Sequence, residues 1–579
     1  MANKIIRTRS DFLSLIPESQ RSNAQSLIAA LLHARGENGE ELDYSLKKLS
    51  SPLLMKGMSE AVALLEAAFK QGQRILVVGD FDADGATSIA VALRSLRALG
   101  AAHVNFIVPN RFEYGYGLTP EIVALAEQEK PDLLITVDNG IASIDGVAVA
   151  RQAGIKVLIT DHHLPGEQVP EADAIVNPNQ RGCEFPSKNL AGVGVIFYVM
   201  LALRARLREI NWFNEQGLLE PNLAQFLDLV ALGTVADVVP LDYNNRILVA
   251  QGIERIRAGL CCPGIVALLK VASRSPEKLS ASDFGFAIGP RLNAAGRLDD
   301  MSVGIACLLS DDWPECLNIA TELDALNRER RAIEASMQLD AIRDLQALAE
   351  DGQGRNAVCL CRDDWHQGVV GIVASRIKDR LHRPVIAFAD TGDGELKGSG
   401  RSIAGVHLRD VLDRVATSTP GLLSKFGGHA MAAGLSLPAA RFDEFSVAFD
   451  VAVAQILTDE LKEPVIWSDG ALQSEQLSLL HAEAIRDSGP WGQAFPEPVF
   501  DGVFKLVEQR IVGAKHLKMM LTPEESSSLL LDAIAFNVDL ELWPNQEQIL
   551  VRLAYKLDVN EFRGRRSVQL IVDHLQLHE

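Results

Sequence analysis

Cysteine is scarce in this chain, and the few cysteines follow no pattern that a bound metal or a redox reaction would require. There are seven among 579 residues, an odd number, and no two are spaced as Cys-x-x-Cys. This argues against a disulfide framework and against a cysteine-based metal site. We expect reduced, mostly buried thiols of a cytoplasmic protein, at Cys183, Cys261, Cys262, Cys307, Cys316, Cys359 and Cys361.

Long hydrophobic runs are absent as well. The longest uncharged, strongly apolar run, Val193 to Leu203, is too short to span a bilayer. The first ten residues have neither the apolar core nor the small-residue cleavage site of a secretory signal. With 47% hydrophobic and 23% charged residues, the composition is that of a folded globular protein. At roughly 100–200 residues per domain, the length indicates about three to five domains.

Positive charge is in deficit. The chain has 56 lysines and arginines against 76 aspartates and glutamates, which gives a net charge of −20. Non-specific binding to duplex DNA depends mainly on neutralising phosphates, so this balance argues against it. A local cationic groove can still exist in an acidic protein.

A regular alternation of strand and helix patterns fills the first half of the chain. Continuous apolar runs of five or six residues are typical of strands that are buried on both faces. Such strands, separated by helices of about 10–15 residues, predict β-α-β units and a parallel sheet with helices on both faces. The predicted strands are 74–79, 103–108, 133–137 and 156–160, and the helices between them are 87–99, 119–129 and 143–153.

The rest of the chain shows three further patterns. Residues 191–207, 222–239 and 311–349 have helical periodicity; the last stretch, with 327–331 expected to be exposed, is typical of a connector between domains. Strands at 357–361 and 384–389 flank a helix at 368–381. Short β-rich runs at 498–507, 528–536, 548–557 and 567–572 suit a small β-barrel or sandwich.

These patterns predict a multi-domain α/β protein. We divide it into an N-terminal segment (1–55), a parallel-sheet domain (56–310), a long connector helix (311–350), a smaller α/β domain (351–460) and a C-terminal β-barrel domain (461–579).

Acidic and histidine side chains follow three strands of the predicted parallel sheet. The strand 74–79 leads into Asp80, Asp82 and Asp84, the strand 133–137 into Asp138, and the strand 156–160 into Asp161, His162 and His163. Because ligands bind outside the carboxyl ends of parallel strands, these side chains are expected at one edge of the sheet. Asp237 adds another acid, where an apolar helix gives way to a loop.

Such a cluster indicates a site for hard divalent metals. Carboxylates with an imidazole among them favour Mn²⁺ as well as Mg²⁺. Two ions about 3.5–4 Å apart could clamp an in-line phosphoryl displacement, one activating water and one stabilising the leaving oxygen. Any single acid could instead be a helix cap or a solvated turn, but the combined set argues against that for all of them. A calcium loop over 80–91 is disfavoured, because its twelfth position is Val91 instead of glutamate.

At these residues the chain resembles the DHH phosphoesterase superfamily, named for the triplet that begins at Asp161. The segment Gly427–Gly434 resembles part of the family's C-terminal partner domain, DHHA1. More narrowly, nearly the whole chain resembles the bacterial single-strand-specific 5′→3′ DNA exonucleases of that superfamily, which end in an OB-fold. The motifs that support the narrower resemblance are Gly79–Gly85, Val108–Leu118, Gly289–Leu298, Trp365–Val373 and Ser399–Ser402.

The resemblance implies a role for particular residues. Asp138 would bridge two metals, Asp161 would orient the site as an outer carboxylate, and His163 and His429 would contact the scissile phosphate. The implied metal ligands are Asp80, Asp82, Asp84, Asp138, His162 and Asp237. The implied contacts to the DNA and its 5′-phosphate are Arg111, Arg291, Ser399, Arg401, Gly427 and Gly428.

Other features can be interpreted in two ways. Phe112, Tyr114 and Tyr116 could stack on bases or simply anchor a loop. In the OB-like domain, basic clusters at 515–518 and 563–566 could bind single strands, while its largely acidic surface could dock protein partners.

The favoured hypothesis is a metal-dependent exonuclease that degrades single-stranded DNA 5′→3′ to 5′-mononucleotides, in recombination and repair. The resemblance implies a two-metal site with Mn²⁺ or Mg²⁺ and, as partners, single-stranded DNA, a single-strand-binding protein and a RecQ-type helicase. One alternative is a phosphodiesterase, nanoRNase or pyrophosphatase for small substrates, although the added β-rich tail argues against it. Another is an inactive DNA-binding scaffold, although the acid set is intact.

Overall fold

The structure is a computed structural model, and it describes residues 4–9, 12–36, 42–110, 114, 117–350, 355–513, 515–526, 528–538, 543 and 549–578. Its strands are β1 (Ile5–Thr8), β2 (Arg74–Gly79), β3 (His103–Ile107), β4 (Leu133–Val137), β5 (Lys156–Thr160), β6 (Ala174–Val176), β7 (Val358–Arg362), β8 (Val385–Asp390), β9 (Glu395–Arg401), β10 (Lys425–Gly428), β11 (Ala432–Pro438), β12 (Val465–Ser468), β13 (Phe500–Val512), β14 (His516–Pro523), β15 (Leu531–Ala535), β16 (Leu550–Phe562) and β17 (Arg565–Leu577).

The helices are α1 (Ala24–Ala34), α2 (Met58–Gln71), α3 (Ala83–Leu99), α4 (Pro120–Gln128), α5 (Ile144–Gln152), α6 (Gly192–Glu209), α7 (Trp212–Glu215), α8 (Leu227–Ala236), α9 (Tyr243–Arg257), α10 (Pro263–Val271), α11 (Ala281–Asp283), α12 (Gly289–Leu298), α13 (Ser302–Leu309), α14 (Trp313–Glu350), α15 (Val370–Leu381), α16 (Leu408–Ser418), α17 (Phe442–Ala454), α18 (Asp459–Lys462) and α19 (Leu479–Asp487).

The chain forms two compact units, which we describe separately. The parallel-sheet unit contains Glu40–Arg328 and Gly489–Glu497. The composite unit contains Met1–Gly39, Glu329–Ser488 and Pro498–Glu579. The long helix α14 begins in the first and ends in the second, and it was predicted within two residues at either end.

In the parallel-sheet unit, five parallel strands lie in the order β3-β2-β4-β5-β6. Side chains of α4 and α5 join Leu76, Val78 and Leu134 in one hydrophobic cluster on one face. The helices α3 and α6 pack against each other and against the sheet outside that cluster, so the expected helices on both faces are confirmed. The apolar run from Val193 lies in α6, where it is buried in the core.

The composite unit contains a mixed sheet and a closed barrel. The sheet has the order β10-β11-β9-β8-β7, in which only β7 and β8 are parallel. The barrel closes in the order β13-β14-β15-β17-β16, which confirms the predicted β-barrel. The short strand β1 pairs in parallel with β12.

Several details differ from the sequence-based expectation. The strands β1, β6, β9, β10, β11, β12 and β14 were not predicted. Asn327, expected to be exposed on α14, is only 4% exposed.

Among the described helices, none is both long and apolar enough to cross a membrane.

Candidate functional site

The end of β2 and the start of α3 carry the first three acids. Asp82 caps α3: its Oδ1 accepts hydrogen bonds from the amides of Asp84 (2.9 Å) and Gly85 (3.0 Å). A Cβ at Gly85 would lie 2.3 Å from the carbonyl oxygen of Asp80, so only glycine allows this close turn. The result is a bend that places three carboxylates within six residues of the strand.

The side chain of Asp84 is held by a second helix. Its Oδ2 accepts a hydrogen bond from the amide of Gly192 (2.6 Å), and its Oδ1 accepts one from Val193 (3.0 Å), both in the first turn of α6. Burial raises the pKa of Asp84 to about 7, and the nearby Asp82 carboxylate adds to that rise, while the two amides oppose it. A cation beside this carboxylate would therefore be strongly favoured.

Asp138 lies at the centre of the site. It follows β4 with a left-handed φ of 62°, which is uncommon outside glycine, and it is 2% exposed. Its Oδ1 lies 3.2 Å from Nε2 of His162, and that same nitrogen lies 3.5 Å from Oδ2 of Asp237. One imidazole nitrogen thus contacts acids that are 99 residues apart in the chain.

Asp161 organises the two histidines that follow it. Its Oδ1 accepts the amides of His162 (2.7 Å) and His163 (3.1 Å) and lies 2.8 Å from Nδ1 of His163, while Oδ2 accepts the amide of Ile141 (2.9 Å). Burial would raise the pKa of Asp161, but its contact with His163 brings that pKa below the ordinary value. Burial would likewise lower the pKa of His163, but Asp161 raises it on balance. The pair therefore favours an anionic Asp161 beside a cationic His163.

These side chains form three overlapping groups in which the potential ligand atoms lie within 4.8 Å of one another. The groups are Asp80, Asp82 and Asp138; Asp84, His162 and Asp237; and Asp138, His162 and His163. All six residues predicted as metal ligands are brought together, and His163 joins them.

The donor set suits hard divalent cations. It contains carboxylates and imidazoles, and among the described residues no cysteine belongs to any of the groups. Burial, and then the neighbouring carboxylates, raise the pKa of Asp138 and Asp237 well above the ordinary value. Bound cations would relieve this repulsion.

Three asparagines support the site, and sequence reasoning missed their role. Nδ2 of Asn177 donates to the carbonyl of His163 (2.9 Å), and Nδ2 of Asn179 donates to that of His162 (2.6 Å). Oδ1 of Asn293, on α12, accepts the amide of Ala83 at the start of α3 (2.8 Å). The only local signals were the Asn-Pro-Asn turn and a glycine-rich helix.

Two of the arginines expected at the 5′-phosphate are Arg111 and Arg291, and the structure describes only the second of them. Arg111, with Phe112 and Tyr116, lies outside the described residues, while Tyr114 is half-buried. Arg291 lies on α12, where its guanidinium is 2.7 Å from Oδ1 of Asp324 and also donates to the carbonyl of Ala287 (2.6 Å).

In the composite unit, Ser399 and Arg401 form a compact polar corner. Nη1 of Arg401 donates to Oγ of Ser399 (3.1 Å) and to the carbonyl of Gly400 (2.8 Å). A Cβ at Gly371, in the first turn of α15, would lie 2.7 Å from that Oγ and 2.9 Å from Nη2 of Arg401. The serine, the guanidinium and the start of a helix are thus adjacent, a combination that suits an anion.

Gly427 and His429 share a sheet face with that corner, whereas Gly428, between them, belongs to the opposite face. Across the strands, Gly427 is paired with Gly434, and Gly434 with Ser399. The next row on the same face contains Arg401, Ala432 and the exposed His429, because side chains two residues apart point the same way. A Cβ at Gly427 or Gly434 would have nothing within 4 Å, so packing does not require glycine there. In contrast, Gly428 has a φ of 143° and close backbone contacts.

Family models match three stretches of the chain. The DHH family, N-terminal domain, matches residues 74–234, the DHHA1 domain matches 354–455, and the RecJ OB domain matches 468–574.

Similar proteins cover nearly the whole chain. The single-stranded-DNA-specific exonuclease RecJ of Dickeya dadantii (strain 3937) is 57% identical over 96% of this chain and 98% of its own length. The RecJ of Escherichia coli (strain K12) is 55% identical over 95% of each chain. The crystal structure of RecJ from Thermus thermophilus in complex with Mn²⁺ matches with a TM-score of 0.78 and 31% identity, over 97% of this chain and 79% of that one. This chain therefore belongs to the RecJ family of single-stranded-DNA-specific exonucleases.

Proposed function

We propose that this protein is a metal-dependent exonuclease that degrades single-stranded DNA in the 5′→3′ direction and releases 5′-mononucleotides, in recombination and repair. The observation that carries the proposal is that the carboxylates of Asp138 and Asp237 approach the same imidazole nitrogen, Nε2 of His162. The three residues come from three separate elements. The intact acid set argues against an inactive scaffold, and the OB domain argues against a substrate as small as a dinucleotide.

The metal site consists of residues at the carboxyl edge of the parallel sheet. Two divalent ions, Mn²⁺ or Mg²⁺, would supply Lewis-acid activation of water and neutralise charge on the phosphate. Relatives solved with Mn²⁺ and with Mg²⁺ support this choice of ions. Asp138 belongs to two of the three groups and, unlike His162, which also belongs to two, carries two carboxylate oxygens, so it is the residue that would be shared between the ions. The residues that would hold the ions are Asp80, Asp82, Asp84, Asp138, His162 and Asp237.

His163 acts on the phosphate, and Asp161 positions it. Asp161 is anionic and lies 2.8 Å from Nδ1 of His163, which fixes the ring so that His163 can contact a phosphate oxygen. Burial alone would lower the pKa of His163, but the hydrogen bond to Asp161 raises it on balance, which favours a positively charged ring. His163 thereby stabilises the negative charge that develops during cleavage.

Phosphate-binding groups occur in both units. In the parallel-sheet unit these are Arg291 and Arg111. In the composite unit, Ser399 and Arg401 bind the 5′-phosphate beside the start of α15, and the open glycine row lets the DNA backbone lie close to the sheet. His429 completes that face, and Gly428, with a φ of 143°, provides the backbone turn just before it. Recognition of a terminal 5′-phosphate would make the enzyme begin at the 5′ end.

Several finer assignments belong to the same proposal. We place the functional domains at 56–310, 351–460 and 461–579, joined by 311–350 and preceded by 1–55. We expect the protein to act in the cytoplasm with a single-strand-binding protein and a RecQ-type helicase that supplies 5′ tails. Retention of the purified chain on immobilised single-strand-binding protein, with and without DNA, tests the first partner.

Digestion of end-labelled DNA tests the function. Matched oligonucleotides labelled at the 5′ or 3′ end, single-stranded or duplex, are incubated with Mn²⁺, Mg²⁺ or EDTA. We expect a labelled mononucleotide to be released first from the 5′-labelled single strand, only with metal. Asp138→Ala should abolish release, and Asp145→Ala, a solvent-exposed acid in the first turn of α5, should not. Release from the 3′ label first, or equal activity in EDTA, would overturn the proposal.

A further inference from the structure

Phe286 is exposed to an unusual degree for an aromatic side chain. It is 85% exposed, the largest fraction of any aromatic residue among those the structure describes. Its neighbours Phe284, Ala287 and Ile288 are at most 4% exposed, so this short segment is otherwise anchored in the core. A ring with so much of its surface in water buries little apolar area and contributes little to stability.

The backbone around Phe286 is also unusual. Residues Phe284–Ile288 form a turn of π-helix between α11 and α12. Such turns are rare, insert an extra residue, and are frequent at functional sites. Here the turn directs one phenylalanine outward while its neighbours remain buried.

A second exposed apolar residue lies directly after an expected metal ligand. Val238 follows Asp237, is 63% exposed and has a φ of 60°. A β-branched residue in the left-handed region is a genuine outlier, and such strain clusters at binding sites.

The packing places Phe286 beside the candidate site. A Cβ at Gly285 would lie 3.8 Å from Cγ1 of Val235, and a Cβ at Gly289 would lie 3.2 Å from Cβ of Ala236. Val235 and Ala236 are the two residues before Asp237. On its other side, the carbonyl of Ala287 accepts a hydrogen bond from Arg291 (2.6 Å). Phe286 is therefore flanked by the end of α8 that carries a metal ligand and by an arginine assigned to phosphate.

We propose that Phe286, with Val238 beside the metal site, supports a nucleobase of the single strand next to the scissile phosphodiester. The inference rests on the proposed function and adds a positioning residue to it. A single ring matches the size of one base, whereas a protein partner would need a far larger apolar patch. Stacking on an aromatic face is tolerant of sequence, as a nuclease that removes every nucleotide in turn requires.

Kinetics with base-deleted substrates tests the proposal. The kcat and KM of wild type, Phe286→Ala and Phe286→Trp are measured on an unmodified single strand and on four modified strands. Each modified strand carries a single abasic site, at the first, second, third or fourth nucleotide. We expect Phe286→Ala to lower kcat/KM about 5- to 140-fold, the ratio that corresponds to about 1–3 kcal/mol of stacking at 1.4 kcal/mol per factor of ten. Phe286→Trp should retain the wild-type value.

The abasic series separates stacking from a merely structural effect. One abasic position should impair the wild type by a similar factor and leave Phe286→Ala unaffected. Leu219→Ala, which truncates a 93% exposed leucine in the same unit, is the matched control and should behave as wild type. Melting temperatures should be equal in all four proteins, since the ring is exposed.

Two results would overturn the inference: Phe286→Ala with wild-type kcat/KM, or the same abasic profile in the variant and the wild type. The proposed function is assessed separately, by whether the wild type cleaves the unmodified strand. Fluorescence anisotropy with a phosphorothioate strand measures the same loss in affinity without turnover. The inference can therefore be tested even if the wild type does not cleave.

Discussion

Substitution of Gly192 by alanine should displace the central carboxylate of the site. The new Cβ would lie 2.5 Å from Cβ of Asp138 and 2.8 Å from its Cα, whereas carbon atoms pack comfortably at about 3.5–4.0 Å. One of the two backbones must therefore move by roughly 1 Å. Overpacking of this kind costs about 1–3 kcal/mol, and the gain from alanine over glycine in a helix offsets about 1 kcal/mol of that.

The expected loss of activity is larger than the loss of stability. Net destabilisation is about 0–2 kcal/mol, which leaves the protein folded at 25 °C. Displacement of a catalytic group by about 1 Å can lower the rate by roughly 100-fold. We therefore expect Gly192→Ala to melt within a few degrees of wild type and to cleave single-stranded DNA about 100-fold more slowly in Mn²⁺.

Gly194→Ala is the matched control. It lies two residues further along α6, and its Cβ would first meet the end of the flexible Leu190 side chain, at 3.1 Å. Melting is followed by circular dichroism, and cleavage by release of a labelled mononucleotide under single-turnover conditions. Equal activity in the two variants would refute the reasoning, because it would mean that the position of Asp138 does not limit the reaction.

Three further outcomes follow from the structure. Asn293→Ala leaves the first amide of α3 without its acceptor, so urea unfolding should show a loss of about 1–3 kcal/mol, and an unchanged free energy of unfolding would contradict this. Gly434→Ala meets no neighbouring atom, so the melting temperature should not fall while cleavage of single strands slows; unchanged cleavage would argue against DNA at that face. Burial, with Asp228 nearby, raises the pKa of the Cys261 thiol to about 12, so thiolate is scarce at pH 8 and its fraction rises tenfold per pH unit; mass spectrometry should find labelling of Cys261 by a disulfide reagent much slower at pH 8 than at pH 9.

The parallel sheet could be predicted closely from the sequence because its strands are buried on both faces. Strands β2, β4 and β5 have the predicted limits, since each consists mainly of apolar residues and is buried on both faces. The topology then brings the residues after these strands to one edge. The clustering of the acids that follow these strands comes from that rule, whereas Asp237 is contributed by the end of the helix α8.

The mixed sheet was harder to predict, because glycine replaces apolar residues on its packed face. In β9, a Cβ at Gly398 would lie 2.4 Å from the ring of Phe388, and one at Gly400 would lie 2.8 Å from Leu408. Large side chains of neighbouring elements fill the space that alternating apolar residues occupy in an ordinary strand. The hydrophobic alternation that predicts a strand is therefore missing from the local sequence.

The strand β14 had the usual signal, which we interpreted otherwise. Its Leu517, Met519 and Leu521 alternate with half-buried residues and are at most 2% exposed. Because of the lysines beside them, we interpreted this segment as a basic cluster and not as a strand, although its apolar residues alternate with a period of two. The amide contacts to Asp84, in contrast, had no local signal, because they depend on α6 packing against α3.

Anomalous diffraction from crystals grown with Mn²⁺ tests the central claim most directly. The account predicts two manganese peaks, both within coordination distance of the Asp138 carboxylate, with His162 and Asp237 among the ligands. Both peaks should be lost or weakened in Asp138→Asn, and DNA cleavage should be lost with them. Peaks that lie away from these residues, or an Asp138→Asn variant that binds no manganese but cleaves DNA at the wild-type rate, would contradict it.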